Sequence, residues 1–171
     1  MSVPKRNRRV AGTYFVTSRT WDSRLLFMKE AACHVFVETL LHYRDQRAYA
    51  LHSFVLMPEH FHFLLTPAEG TTLERAVQFI KGGSAHAIGE QLPSRVPVWQ
   101  RGFSDHRIRD WRDYAVHLEY IARNPVKRRL VFAAQDYKWS STSGQFRMDE
   151  PPQGLKPPHG VLALGTAGAV P

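Results

Sequence analysis

Val55-Leu56-Met57-Pro58-Glu59-His60-Phe61-His62-Phe63-Leu64-Leu65 is an apolar run that carries two histidines two positions apart. Successive side chains of a β-strand point to opposite faces, so the spacing predicts a strand with His60 and His62 on one face and Phe61 and Phe63 buried on the other. Two imidazoles converging from a rigid strand suit a divalent metal, because neutral imidazole is a good ligand and the strand fixes the ring separation. Taken alone, a His-x-His pair on a strand is more often a hydrogen-bonded pair than a metal site.

Pro58 cannot donate to a ladder, so Met57-Pro58-Glu59 reads as a turn between strands 49–56 and 60–66. Upstream, residues 14–21 are rich in aromatic and β-branched side chains and read as a first strand. Residues 28–47 place Ala32, Val35, Phe36, Thr39, Leu40 and Tyr43 at helical spacing. Downstream, Thr71 to Glu74 has the pattern of a capping box and opens a second helix, which Gly82 and Gly83 are expected to break or bend before it resumes over 84–92. A fourth strand is expected over 96–103, holding Trp99, and a last helix over 111–123 that stops before Pro125. The order β-α-β-β-α-β-α implies an α+β fold: a mostly antiparallel, ferredoxin-like (RRM-like) sheet with helices packed on one face. The exposed face of a middle strand would then present His60 and His62 to a groove, with the last helix leaning Tyr120 and Asn124 across it. Those two residues are four apart, on one helix face.

The 171 residues, 43% of them hydrophobic, are enough for one ordinary domain. A basic arm is expected over 1–11, a folded domain over 12–147 and a Pro/Gly-rich tail over 148–171. The formal charge is +8 and Arg outnumbers Lys 17 to 6. Guanidinium groups bind phosphate through a planar fork, so a nucleic-acid partner is favoured over a membrane surface. The arm residues Lys5, Arg6, Arg8 and Arg9 are candidate DNA contacts. So is the cluster of Arg101, Arg107, Arg109, Arg112, Arg123, Lys127, Arg128 and Arg129. Such groups follow the backbone rather than read bases. A single cysteine, Cys33, permits no intramolecular disulfide and fits a reducing cytoplasm. No apolar run reaches the roughly 18 residues of a membrane span. Tyr114, Trp99, Trp111 and Trp139 read as packing residues, and Asp105-His106 as either a pair near the site or a solvated turn.

Four motifs in order, Met57-Pro58-Glu59-His60-Phe61-His62, Trp99-Gln100-Arg101-Gly102-Phe103, Tyr120-Ile121-Ala122-Arg123-Asn124-Pro125-Val126 and Trp139-Ser140-Ser141, resemble the single-tyrosine HUH transposases, in particular their REP-associated branch. The resemblance spans roughly residues 12–146. Two departures stand out: Arg129 where the family has Gly, and a Lys81-Gly82-Gly83-Ser84 stretch without the aromatic that often follows it. The resemblance implies a bacterial, nucleoid-associated enzyme, monomer or homodimer, that cuts single-stranded DNA at REP/BIME-like hairpins. Tyr120 would attack phosphorus to give a 5′-phosphotyrosine and a free 3′-OH. A phenol of ordinary pKa, about 10, needs activation, and a metal on a non-bridging oxygen would stabilise the growing charge. His60 and His62 would hold that metal, Mg²⁺ or Mn²⁺, with Asn124 either a third ligand or the helix C-cap. Two other classes fit less well: a non-catalytic DNA or RNA binder on the same sheet, and a phosphodiesterase that uses activated water with Tyr120 structural.

Overall fold

The structure, a computed structural model, describes residues 11–156. The arm residues Lys5, Arg6, Arg8 and Arg9 lie outside the described residues, as does the tail beyond 156. Four strands form one antiparallel sheet in the order β2-β3-β1-β4: β1 Tyr14–Arg19, β2 Tyr49–Met57, β3 His60–Pro67 and β4 Ser104–Arg107. Three helices accompany it: α1 Glu30–Asp45, α2 Leu73–Gln91 and α3 Trp111–Lys127. This is the expected ferredoxin-like α+β arrangement.

Alternation along β3 sorts the chain into two apolar clusters. Phe61, Phe63 and Leu65 join Val16, Phe54 and Leu56 in the larger cluster, which α1 and α2 cover with Phe36, Leu40, Val77 and Ile80. Leu64 lies on the other face with Val55 and Met57, where α3 contributes Tyr114 and Ile121. Burying these side chains is the main driving force of the fold, each worth about 1.5–3 kcal/mol relative to exposure. Helices α1 and α2 thus form the covered face, while α3 crosses the histidine face.

Helix α2 runs unbroken through Gly82 and Gly83, against expectation. A Cβ at Gly83 would meet the Tyr43 ring at 2.7 Å, so the glycine serves close packing of α2 on α1 and not a bend. Its N-cap is Thr72, whose side chain accepts from the Arg75 amide, one residue later than the capping box predicts. The fourth strand is also displaced. Trp99 makes only an isolated bridge to Thr20, its indole donating to Ser84 Oγ at 3.1 Å, and the strand itself begins at Ser104. The free edge of β1 at Tyr14–Thr17 is reached only after the chain turns at Gly102, φ 71°.

Helix α3 continues past Pro125 to Lys127. Proline lacks the N–H for its own intrahelical bond, and the helix closes just after it in a Schellman turn: Leu130 N–H donates to Pro125 O and Arg129 N–H to Val126 O. That turn holds Arg129 at φ 56°, left-handed backbone that favours glycine. Arg129→Gly is expected to stabilise the fold by about 1 kcal/mol, raising Tm by roughly 2–4 °C in a thermal melt. The region expected as a tail starts on the sheet edge. The Asp149 carboxylate accepts from Leu51 N–H, and Leu155 is buried in the smaller cluster.

Candidate active site

Residues of β3, β1 and α3 meet on the histidine face. His60 and His62 are almost fully buried and their rings lie 4.7 Å apart, as the strand reading expects. Each has one nitrogen fixed by a neighbour. His60 Nδ1 is 2.9 Å from Glu59 Oε1; a carboxylate only accepts, so Nδ1 carries the proton and Nε2 keeps its lone pair. Arg128, at the end of α3, donates to the same Glu59 oxygen. His62 Nδ1 lies 2.7 Å from Thr17 Oγ1, its cross-strand partner in β1, while His62 Nε2 is buried with no hydrogen-bond partner.

Burial, with His60 and Arg19 nearby, lowers the His62 pKa to about 3. Burial also lowers that of His60, against the opposing pull of Glu59. Both imidazoles are therefore neutral near pH 7, the form that ligates metal. In the unfolded chain each takes up a proton near pH 6.5, so acid favours unfolding. The stability of the metal-free protein should accordingly rise with pH between about 3 and 6.5. His62 alone should remove about 2 kcal/mol between pH 6.5 and 5, at roughly 1.4 kcal/mol per unit. Denaturant midpoints across that range check this, with His62→Gln expected to flatten the acid limb.

Tyr120 projects from α3, 39% exposed, its ring 5.1 Å from that of His62 and 5.7 Å from that of Phe15. Lys127 Nζ lies 5.3 Å from the centre of the Tyr120 ring. Asn124 follows one turn later, buried. It is not the C-cap, which is Arg128; Asn124 is internal to the helix. Tyr114 is buried as a packing residue.

The basic candidates Arg101, Arg107, Arg109, Arg112, Arg123, Lys127, Arg128 and Arg129 are all exposed. Three of them already face carboxylates: Arg109 with Asp113, Arg123 with Glu119 and Arg128 with Glu59. Two contributors had no assignment from sequence. Glu59 stood in the motif as an acid beside the first histidine, which was a usable signal. Thr17 required the β1–β3 register. Among the described residues, no helix is long and apolar enough to cross a membrane.

An orphaned imidazole nitrogen, His62 Nε2, beside a second neutral imidazole has the donor chemistry that fits a metal.

The family model described as "Transposase IS200 like" matches residues 14–124. The REP-associated tyrosine transposase of Escherichia coli (strain K12) is 28% identical over 131 residues, 76% of each chain. A Haemophilus influenzae relative is 26% identical over 154 residues, 82% of this chain and 85% of its own. Among solved structures, a REP-associated tyrosine transposase bound to a REP hairpin superposes with a TM-score of 0.69 at 25% identity, covering 97% of this chain and all of that one. With the matching model spanning both histidines, Tyr120 and Asn124, this chain belongs to the IS200-like transposase family.

Proposed function

We propose that the protein nicks and rejoins single-stranded DNA at REP-type hairpins through a covalent intermediate on Tyr120. The observation that carries this reading is the Tyr120 ring 5.1 Å from His62, a neutral imidazole whose buried Nε2 has no hydrogen-bond partner. The hairpin follows from the DNA bound to the similar solved structure. In the reaction Tyr120 Oη bonds to phosphorus as the phosphorus–O3′ bond breaks; the phenolic proton leaves and the departing 3′ oxygen gains one. The ester keeps the energy of the broken bond, so a 3′-OH can attack it and rejoin strands without a nucleotide cofactor. Mg²⁺ or Mn²⁺ held by His60, His62 and Asn124 would supply charge stabilisation at the phosphate.

The chain's own groups orient these parts. Glu59 fixes the His60 tautomer and, through Arg128, ties the end of the Tyr120 helix to the β2–β3 turn. Phe15 and Lys127 flank the phenol. Incubating a labelled hairpin with Mn²⁺ should give a shortened strand and a protein–DNA adduct stable in detergent. Free 5′-phosphate product without an adduct would favour the activated-water phosphodiesterase instead.

Exposed basic side chains are assigned to the DNA backbone. Each phosphate neutralised on a single strand contributes about −0.7 to the slope of log affinity against log salt. Arg101→Ala with Lys127→Ala should therefore flatten that slope by roughly 1.4 and spare discrimination between cognate and scrambled hairpins. Binding measured at several salt concentrations checks both; an unchanged slope removes these residues from the interface.

A further inference from the structure

A second group of metal-binding side chains sits where β4 meets the first turns of α3. Asp113 and His117 are four residues apart and share one face of α3, the spacing that lets a helix chelate a metal. His106 comes from β4, paired across the sheet with Phe15 and so on the face that α3 covers. His106 Nε2 is 2.9 and 3.0 Å from the two Asp113 oxygens, and His117 Nδ1 is 3.2 Å from Asp113 Oδ1. The two imidazole rings stack at 4.7 Å with 17° between their planes, and the three donor atoms lie within 4.8 Å of one another.

A bound ion roughly 2.0–2.2 Å from each ligand holds neighbouring ligand atoms about 3 to 3.5 Å apart, close to the nitrogen–oxygen spacings found here. We infer that His106, Asp113 and His117 form a second divalent-metal site, suited to borderline ions such as Zn²⁺ or Co²⁺, that fastens α3 to β4. Two imidazoles and one carboxylate favour those ions over Mg²⁺, which prefers oxygen.

Burial works against ionising Asp113, but hydrogen bonds from His106 and Arg109 outweigh it and bring its pKa down to about 2, so the carboxylate is present at neutral pH. Arg109 holds Oδ2 from its backbone and side chain, which leaves Oδ1 toward the histidines. The ion would displace two contacts, the hydrogen bond from His106 Nε2 to the Asp113 carboxylate and the 2.8 Å hydrogen bond from His117 Nδ1 to the Asp113 carbonyl, each nitrogen giving up its proton to ligate. This site is distinct from the His60–His62 pair. The Phe15 ring touches both, 5.2 Å from His62 and 4.7 Å from His117. Tyr120 stands three residues beyond His117, so an ion here would steady the helix that carries the phenol.

The test uses the full chain carrying His60→Ala and His62→Ala, stripped with EDTA and titrated with Zn²⁺ by calorimetry and with Co²⁺ by visible absorption. One Zn²⁺ per chain is expected, together with a higher unfolding temperature on adding it. Adding His106→Gln, at a half-exposed side chain that folding tolerates, should weaken binding by more than the roughly 10–100-fold that a lost outer partner costs, and should abolish the thermal shift. If the double variant binds no Zn²⁺, or binds it equally well with His106→Gln or Asp113→Asn, the cluster is an ion-pair network only and the inference falls. Because the first pair is already removed, the outcome does not depend on whether His60 and His62 bind metal in the native chain.

Discussion

Tyr120→Phe is expected to lower hairpin cleavage by about 10⁴-fold or more while leaving hairpin affinity within about twofold of the native chain. The substitution deletes one oxygen. The ring keeps its edge contacts with His62 and Phe15 and its place beneath Lys127, so neither the fold nor the charge of the surface changes. Gel assays on a labelled hairpin, with affinity measured in parallel, separate the two effects. Cleavage retained within tenfold would return Tyr120 to a packing role and leave activated water as the nucleophile.

The second large effect is expected at the imidazoles. His60→Ala or His62→Ala should each reduce metal-dependent cleavage by about 10³-fold, and EDTA should inhibit the native enzyme to a similar extent. A site with two or three protein donors has little to spare when one is lost. His62→Ala also removes a buried group whose Nε2 has no partner, so the fold should not suffer for the lost imidazole in proportion to the loss of activity. His60→Ala differs: it leaves the Glu59 carboxylate buried beside Arg128 without its second donor. A modest loss of stability, visible as a lower Tm, should accompany both variants, because His62→Ala in turn removes the partner of Thr17 Oγ1 and the ring stacked on Phe15. Full activity in EDTA would reject a metal role for both histidines.

The histidine face was legible because a strand's two-residue period is a local property: His60, His62 and Leu64 fall on one side and Phe61, Phe63 and Leu65 on the other whatever the rest of the chain does. The four-residue step from Tyr120 to Asn124 was readable for the same reason. What escaped depended on contacts distant in sequence. Thr17 meets His62 only through the β1–β3 register, and Arg128 reaches Glu59 across 69 positions. The bulge between Leu51 and Ser53 reverses the alternation of β2, so Leu51 and Phe54, three apart, share a face. Gly82 and Gly83 read as a break because the use of Gly83, the approach of Tyr43 and Thr39 on α1, is tertiary, while Gly82 faces open space. Pro125 read as a stop because the Schellman turn that accommodates it closes only two residues after the helix. The Arg129 departure was visible in sequence, but its left-handed backbone was not.

In the proposed reaction the phenol of Tyr120 becomes joined to DNA. The direct measurement is to trap the protein on a hairpin whose cleaved strand cannot return, digest the adduct with trypsin and nuclease, and sequence the modified peptide by mass spectrometry. A 5′-phosphonucleotide is expected on Tyr120, absent from Tyr120→Phe and absent when His60 and His62 are replaced. A nucleotide found on Tyr114, Tyr137 or any residue other than Tyr120, or efficient cleavage that leaves every peptide unmodified, would contradict it.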